Sequence, residues 1–178
     1  FQANFLWLQN IEAATILATK VFPLIKKEIP QANCWIVGQA AKEKIGYLSS
    51  KDVEIKDLAI SDIEGVKKAY QQATVFVAPL KGPGGTRLKI LGAMAAGVPV
   101  VTTQVGIEGI EARNGKEVLV RNKEEELAKA VVQLLKDPKD YQKIVKMARE
   151  LVEKKYSYQS IAQILDKFYQ EVGNDRKN

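Results

Sequence analysis

Short apolar runs alternate with longer stretches in which apolar residues return every three or four positions. The runs predict strands: Phe1–Asn4 as the tail of a first strand, Cys34–Val37 closed by Gly38, Val53–Ile55, Thr74–Ala78 ended by Pro79, and Val98–Thr103. The periodic stretches predict helices. Asn10 is placed to cap one reaching about Glu28, with Ile11, Ala14, Leu17, Ala18, Val21, Phe22 and Ile25 on one face, before Pro30 breaks the chain. Lys42–Leu48 reads as a short helix. Ser61-Asp62-Ile63-Glu64 reads as a capping box that opens a helix to about Gln72. Another helix follows a glycine-rich loop and runs to Ala96, where Gly97 stops it. After Val120 the pattern is helical. Asn122 with Glu125 resembles a second capping box, Asp137-Pro138 restarts the helix, and Ser157 begins a last one carrying Ile161, Ile164, Leu165, Phe168 and Tyr169. Gly173–Asn178 is polar and expected to be disordered.

Continuous apolar runs mark strands buried on both faces, as in a parallel sheet. Strand alternating with helix then predicts an α/β fold with a Rossmann-like, doubly wound parallel sheet, followed by extra C-terminal helices. Such sheets bind ligands at the carboxyl ends of their strands. The stretch from Pro79 to Ile110 lies at such an end. Its glycines, Gly82, Gly84 and Gly85, allow a sharp turn and close approach to a ligand, and the next helix points N–H groups and a positive dipole end at the same place. A diphosphate suits that arrangement.

The 178 residues suffice for one domain with a real core, and 46% hydrophobic with 27% charged residues is ordinary for a globular protein. Histidine is absent, which removes every mechanism needing an imidazole from this chain. Cys34 has no partner for an internal disulfide and reads as a buried thiol in a reducing compartment. The formal charge of +6 is spread over helical faces without a dense basic stripe or interleaved aromatics, so no nucleic-acid site is expected. No apolar run is long enough to span a bilayer, although a modest attraction to anionic lipid is compatible with the charge. Phe1–Leu8 lacks the basic region and cleavage site of a signal peptide, and the chain reads as a piece of a longer protein.

With these residues in view, the chain resembles the C-terminal, donor-binding half of a GT-B glycosyltransferase of the retaining group 1 type, family four. Asn4-Phe5-Leu6-Trp7-Leu8-Gln9-Asn10 is similar to an opening Gly-Asn-x-x-Trp-x-x-Asn, and Val21-Phe22-Pro23-Leu24-Ile25, Ile29-Pro30 and Trp35-Ile36-Val37-Gly38 follow in the same order. Thr74–Pro79 resembles the next strand of the family. The closest match is Gly84-Gly85-Thr86-Arg87-Leu88-Lys89-Ile90-Leu91 with Ala93-Met94-Ala95-Ala96-Gly97-Val98-Pro99-Val100-Val101, and Arg149 and Tyr156-Ser157-Tyr158 resemble the family's close.

The resemblance implies a domain over residues 1–172 that binds a nucleoside-diphosphate sugar, without metal or other cofactor. The sugar would pass with retention to an acceptor glycan, lipid or small molecule held mainly by an N-terminal domain that this chain lacks. Gly84, Gly85, Thr86, Arg87, Leu88 and Lys89 would surround the diphosphate and sugar. Arg87 reads equally as an exposed helix-start residue, and Lys89 reads first as helix surface. No catalytic residue is assigned. The implied location is the cytoplasm, with the inner face of the membrane compatible. Without acceptor groups and the cleft between domains, this chain alone is expected to transfer no sugar. The terminal helices are expected to pack partly on the missing half.

Several positions depart from the family pattern. A Glu that accepts both ribose hydroxyls belongs where this chain has Gly92. Losing that acceptor costs ~1–3 kcal/mol of binding, and a helical Gly costs about 1 kcal/mol relative to Ala. Three explanations stand open: a degenerate or weak transferase, a substitute carboxylate with Glu108 the nearest candidate, or space for a group the usual Glu would block; the competing reading of the chain is a non-catalytic nucleotide-binding or interaction module that kept the fold and lost the ribose clamp. Glu108 reads first as a loop residue capping local backbone. The upstream Glu of the wider family falls at Gly84. Ala3 stands where the opening loop, Ala3 and Asn4, would begin with Gly, so that a methyl group is expected to crowd the ligand. Lys56-Asp57 stands where a Gly near the base is common.

Overall fold

A computed structural model of the chain describes residues 1–59, 61–82 and 87–175. Among the described residues six strands, β1 (Gln2–Asn4), β2 (Cys34–Gln39), β3 (Val53–Asp57), β4 (Phe76–Ala78), β5 (Val100–Thr102) and β6 (Leu119–Val120), form two three-stranded parallel sheets, β1-β2-β3 and β4-β5-β6. The Phe1 ring, just ahead of β1, lies 6.0 Å from the Phe76 ring of β4. The parallel strands alternate with helices, as expected of a doubly wound fold.

Helices cover both faces. Alternate residues of one strand enter opposite cores: Phe76, Ala78 and Val100 pack with α4 (Ile63–Gln72), α5 (Leu88–Ala95) and α7 (Pro138–Lys155), whereas Val77 and Val101 pack with α1 (Leu8–Ile16), α2 (Phe22–Glu28) and α6 (Glu124–Lys136). This two-sided burial explains the unbroken apolar runs. The first helical stretch runs from Leu8 through a π-turn at Leu17–Val21 and ends at Glu28, where its end was expected. That wider turn sits just ahead of Pro23, which has no N–H for the helical ladder. A short α3 (Ala41–Ile45) continues as a 3₁₀ turn to Leu48.

Three helix starts differ from expectation. Asn10 is not a cap; it lies inside α1, buried, and the chain enters that helix at Trp7. Asp62 rather than Ser61 caps α4, accepting from the Gly65 N–H at 2.8 Å. Asn122 accepts from the Gln104 N–H at 2.9 Å instead of capping α6, whose dipole is met by Glu124, Glu125 and Glu126. Asp137 does cap α7, accepting from the N–H groups of Lys139 and Asp140. The last helix, α8 (Tyr158–Asp175), reaches three residues into the stretch expected to be disordered. It packs on α7 and leaves Ile161, Ile164, Leu165, Phe168 and Tyr169 exposed.

Gly38 joins β2 to β1. Its φ is +150°, and a Cβ there would lie 1.7 Å from the Ala3 carbonyl oxygen. Only glycine allows the two strands this register, Ala3 opposite Gly38. Gly38→Ala is therefore expected to lose more than ~3 kcal/mol in urea unfolding. Gly46→Ala, with nothing within 4 Å of the added Cβ, stays within about 0.5 kcal/mol of the parent.

Candidate functional site

The carboxyl ends of β1, β4 and β5 bring the starts of α1 and α5 together. Among the described residues neither helix has a side-chain cap or an acidic residue in its first turn. Gly82 lies against Gln9 of α1, with a Cβ at Gly82 falling 3.2 Å from the Gln9 Cβ, so the glycine loop leaves β4 beside α1. Gly84, Gly85 and Thr86 lie outside the described residues.

Two cations occupy the start of α5. Arg87 is 6% exposed and donates to the Val105 carbonyl at 2.8 Å. The reading of Arg87 as an exposed helix-start residue is thereby corrected: its guanidinium turns under the loop after β5. The nearest carboxylate among the described residues is Glu108, 4.0 Å away and itself exposed. Lys89 is half-buried, donates to Asn10 Oδ1 at 2.5 Å, and lies 5.4 Å from the centre of the Phe1 ring. Its reading as helix surface is corrected as well. Burial, and then the Arg87 charge beside it, pull its pKa from 10.5 to about 8. Leu88, between them, points outward and is 69% exposed.

Asn10 is the residue the sequence reading misplaced. Its amide donates to the Asn4 carbonyl at 2.6 Å while its oxygen takes the Lys89 ammonium. One buried amide thus ties the end of β1 to the start of α5. Asn4 in turn accepts from the Leu6 N–H at 2.9 Å and shapes the turn into α1. Ala3 does not crowd the site: it is a strand residue, 2% exposed, and its methyl group belongs to the core beneath β1–β3.

Two buried threonines hold the loop that covers Arg87. Thr102 donates to the Ala78 carbonyl at 2.7 Å and Thr103 to the Leu80 carbonyl at 2.5 Å, while the Gly106 N–H donates back to Thr103 Oγ1 at 3.0 Å. A Cβ at Gly106 would fall 2.0 Å from Thr102 Oγ1, so this turn requires glycine. Further along, the Tyr156 hydroxyl accepts from the Glu111 N–H at 2.8 Å and Lys155 pairs with Glu111, fastening the loop to α7. Arg149 pairs with Glu153 on the outside of α7, and Tyr158 is exposed. The threonines went unremarked in the sequence because their type and position resemble ordinary strand residues.

Gly92 has a neighbour. A Cβ there would lie 3.3 Å from the Tyr70 hydroxyl and 3.4 Å from two of its ring carbons. That hydroxyl lies 3.0 Å from the Lys89 carbonyl and 3.1 Å from Gln2 Oε1, two acceptors for its single proton. The structure thus supplies an occupant for the third explanation of Gly92, space for another group. Among the described residues no three acidic, thiol or imidazole side chains converge as a metal site, and no helix is long and apolar enough to cross a membrane.

Residues 1–137 match the family model of the group 1 glycosyl transferases, and the chain belongs to that family. It is 25% identical over 167 residues to an uncharacterized 44.6 kDa protein in the cps region of Klebsiella pneumoniae, covering 90% of this chain and 43% of that protein. The chain therefore spans less than half the length of that relative. Its fold is that of the C-terminal domain of a glycosyl transferase group 1 protein, LpcC, from Francisella tularensis (TM-score 0.68, 19% identity, 83% of this chain and 82% of the other). It is also similar to S. aureus TarM, solved in a complex that includes UDP (TM-score 0.69, 21% identity, 91% of this chain and 33% of TarM). Anabaena HepE in complex with UDP-glucose superposes with a TM-score of 0.66 at 13% identity, over 96% of this chain and 54% of HepE. The Rossmann-like half of a GT-B glycosyltransferase is the architecture these comparisons define.

The contact between Gly92 and Tyr70 gives a direct expectation. Gly92→Ala gains helix propensity but crowds the hydroxyl. In a Tyr70→Phe background the same change is expected to be more favourable by at least ~0.5 kcal/mol, read as the coupling in a double-mutant cycle of urea stabilities.

Lys89 gives another. Its lowered pKa means that the unfolded chain binds more protons than the folded one above pH 8, so its contribution to stability rises with pH from about 8 toward 10.5. The Phe1 α-ammonium, also lowered by burial, titrates below that window. Cys34, pushed to about 11 by burial, acts in the opposite sense above pH 9. The expected rise is therefore the difference between the parent and Lys89→Met from pH 8 to 9, in denaturant titrations.

Proposed function

We propose that this chain is the donor-binding half of a retaining glycosyltransferase, and that its site takes the diphosphate of a nucleoside-diphosphate sugar. The observation that carries the reading is the pair Arg87 and Lys89: two enclosed cations at the start of α5, with neither a side-chain cap nor a buried carboxylate among the described residues to balance them. Enclosed like charges are costly, and a bound dianion turns that cost into attraction. The N–H groups at the start of α5 add donors aimed the same way.

In transfer, negative charge grows on the diphosphate as the bond to the anomeric carbon breaks. Arg87, Lys89 and the α5 start are fixed in advance to stabilise that charge, which leaves a bound metal ion unnecessary. The neighbours' complexes with UDP and UDP-glucose favour a nucleotide-sugar ligand here. The acceptor, whether glycan, lipid or small molecule, would be held by an N-terminal domain. The apolar face of α8 is suited to pack against that domain. The single buried Cys34 suits a reducing cytoplasm, and contact with the inner membrane face is compatible with the chain's positive charge. Without the acceptor half, this chain alone transfers no sugar.

Gly92 favours a second reading, in which the fold persists as an interaction module without a ribose clamp. Thermal unfolding with UDP, GDP, ADP and their sugars separates the two. On the first reading one nucleotide raises the Tm by several degrees, and Arg87→Gln or Lys89→Met cuts its affinity by roughly tenfold or more, as for a charge-assisted bond. That affinity also falls as pH rises through about 8, where Lys89 loses its charge. No shift with any nucleotide would leave the module reading.

A further inference from the structure

An acid stands at the mouth of the cation site. The Glu108 carboxylate lies 4.0 Å from the Arg87 guanidinium and is 70% exposed, whereas the guanidinium is turned under the loop toward the Val105 carbonyl. At that distance the two attract but share no hydrogen bond. The sequence reads Glu108 first as a loop residue capping local backbone. That reading is corrected: among the described residues its carboxylate accepts from no backbone N–H.

The turn that presents Glu108 is fixed on both sides. Ile107, just before it, is buried, and its N–H donates to the Thr103 carbonyl at 3.2 Å. The Ile110 N–H donates to the Ile107 carbonyl at 3.0 Å, and Gly109 takes the positive φ, +80°, that carries the chain round. Beyond it the Glu111 N–H is held by the Tyr156 hydroxyl at 2.8 Å. The backbone is therefore set, and the carboxylate is kept within reach of the place above Arg87.

A fixed carboxylate is an unfavourable neighbour for a site that takes anions. It has a use if the site must tell two anions apart. This step rests on the reading of Arg87 and Lys89 as a diphosphate site. In a nucleoside-diphosphate sugar, the phosphate that carries the sugar holds one negative charge and stands next to a ring with adjacent hydroxyls. In the free nucleoside diphosphate that phosphate is open, and above about pH 6 it gains a second charge. A carboxylate repels the second charge, and it accepts well from paired hydroxyls. The transferred sugar has to face an acceptor outside this domain, so it occupies the open side of the site, where Glu108 is exposed.

We propose that Glu108 determines specificity in this site: it accepts hydrogen bonds from hydroxyls of the donor's sugar and repels the terminal phosphate of a free nucleoside diphosphate. The site thereby favours the intact donor over the nucleotide left after transfer. Ribose also carries paired hydroxyls, but it is common to both ligands and cannot give this discrimination.

The test compares the parent with Glu108→Gln, which keeps the shape of the side chain and removes its charge. Calorimetry gives the affinities for UDP and UDP-glucose, GDP and GDP-mannose, and ADP and ADP-glucose. For the nucleotide that binds, the substitution is expected to tighten the free diphosphate about threefold and to weaken the sugar conjugate about threefold, so their ratio moves about tenfold. The gain for the free diphosphate shrinks with added salt. Equal weakening of both ligands would assign Glu108 to the ribose and overturn the proposal. Unchanged affinity for both would make it an ordinary exposed side chain, with the same result. If the parent binds no nucleotide and no conjugate, the donor-site reading falls and this inference with it; if a nucleotide binds and the ratio does not move, this inference falls alone.

Discussion

Lys89 and Asn10, 79 residues apart in the chain, meet in the hydrogen bond on which the candidate site depends. A half-buried ammonium is unfavourable unless dipoles replace its water. Here the Asn10 amide and the face of the Phe1 ring take that part, and both come from the β1–α1 corner. The bond therefore does two things. It keeps a cation inside the protein, and it ties the first helix to the fifth near their starts. Arg87 is held in the same manner by a neutral group, the Val105 carbonyl, on a loop that Thr102 and Thr103 pin to the ends of β4. Both cations are positioned by neutral oxygens, which leaves their charge to act on something else.

Gly92 belongs to that arrangement as well. The Tyr70 hydroxyl reaches the Lys89 carbonyl because residue 92 has no Cβ to hold the ring away. Tyr70 also contacts Phe76 and lies beside Gln2, so the same ring links α4, β4, β1 and α5. A carboxylate at position 92 would have to displace this contact before it could meet a ribose. That is a physical reason for treating positions 70 and 92 as one unit.

The carboxyl end of β1 is closed by Asn4, Asn10 and the Gly38 register. Burial of apolar area is the principal force holding such a sheet together.

Most of the fold was legible in the sequence. Unbroken runs such as Thr74–Ala78 and Val98–Thr103 require burial on both faces, and Asp137-Pro138 sets a helix start by local chemistry that depends on no distant contact. The family, too, was legible as a resemblance, closest over the residues from Gly84 to Val101. What could not be read is every feature whose partner lies far along the chain. Asn10 has the residue type of a cap, and only the approach of Lys89 makes it a bridge. Arg87 and Lys89 sit where surface residues also sit, and only the loop after β5 and the Phe1 ring enclose them. Ala3 seemed aimed at a ligand, but the register against Gly38 turns its methyl group into the core. Local propensity and periodicity act over a few residues and are written in the sequence; the direction of a side chain and the charge around it are set by packing between segments tens of residues apart, and only the tertiary structure decides them.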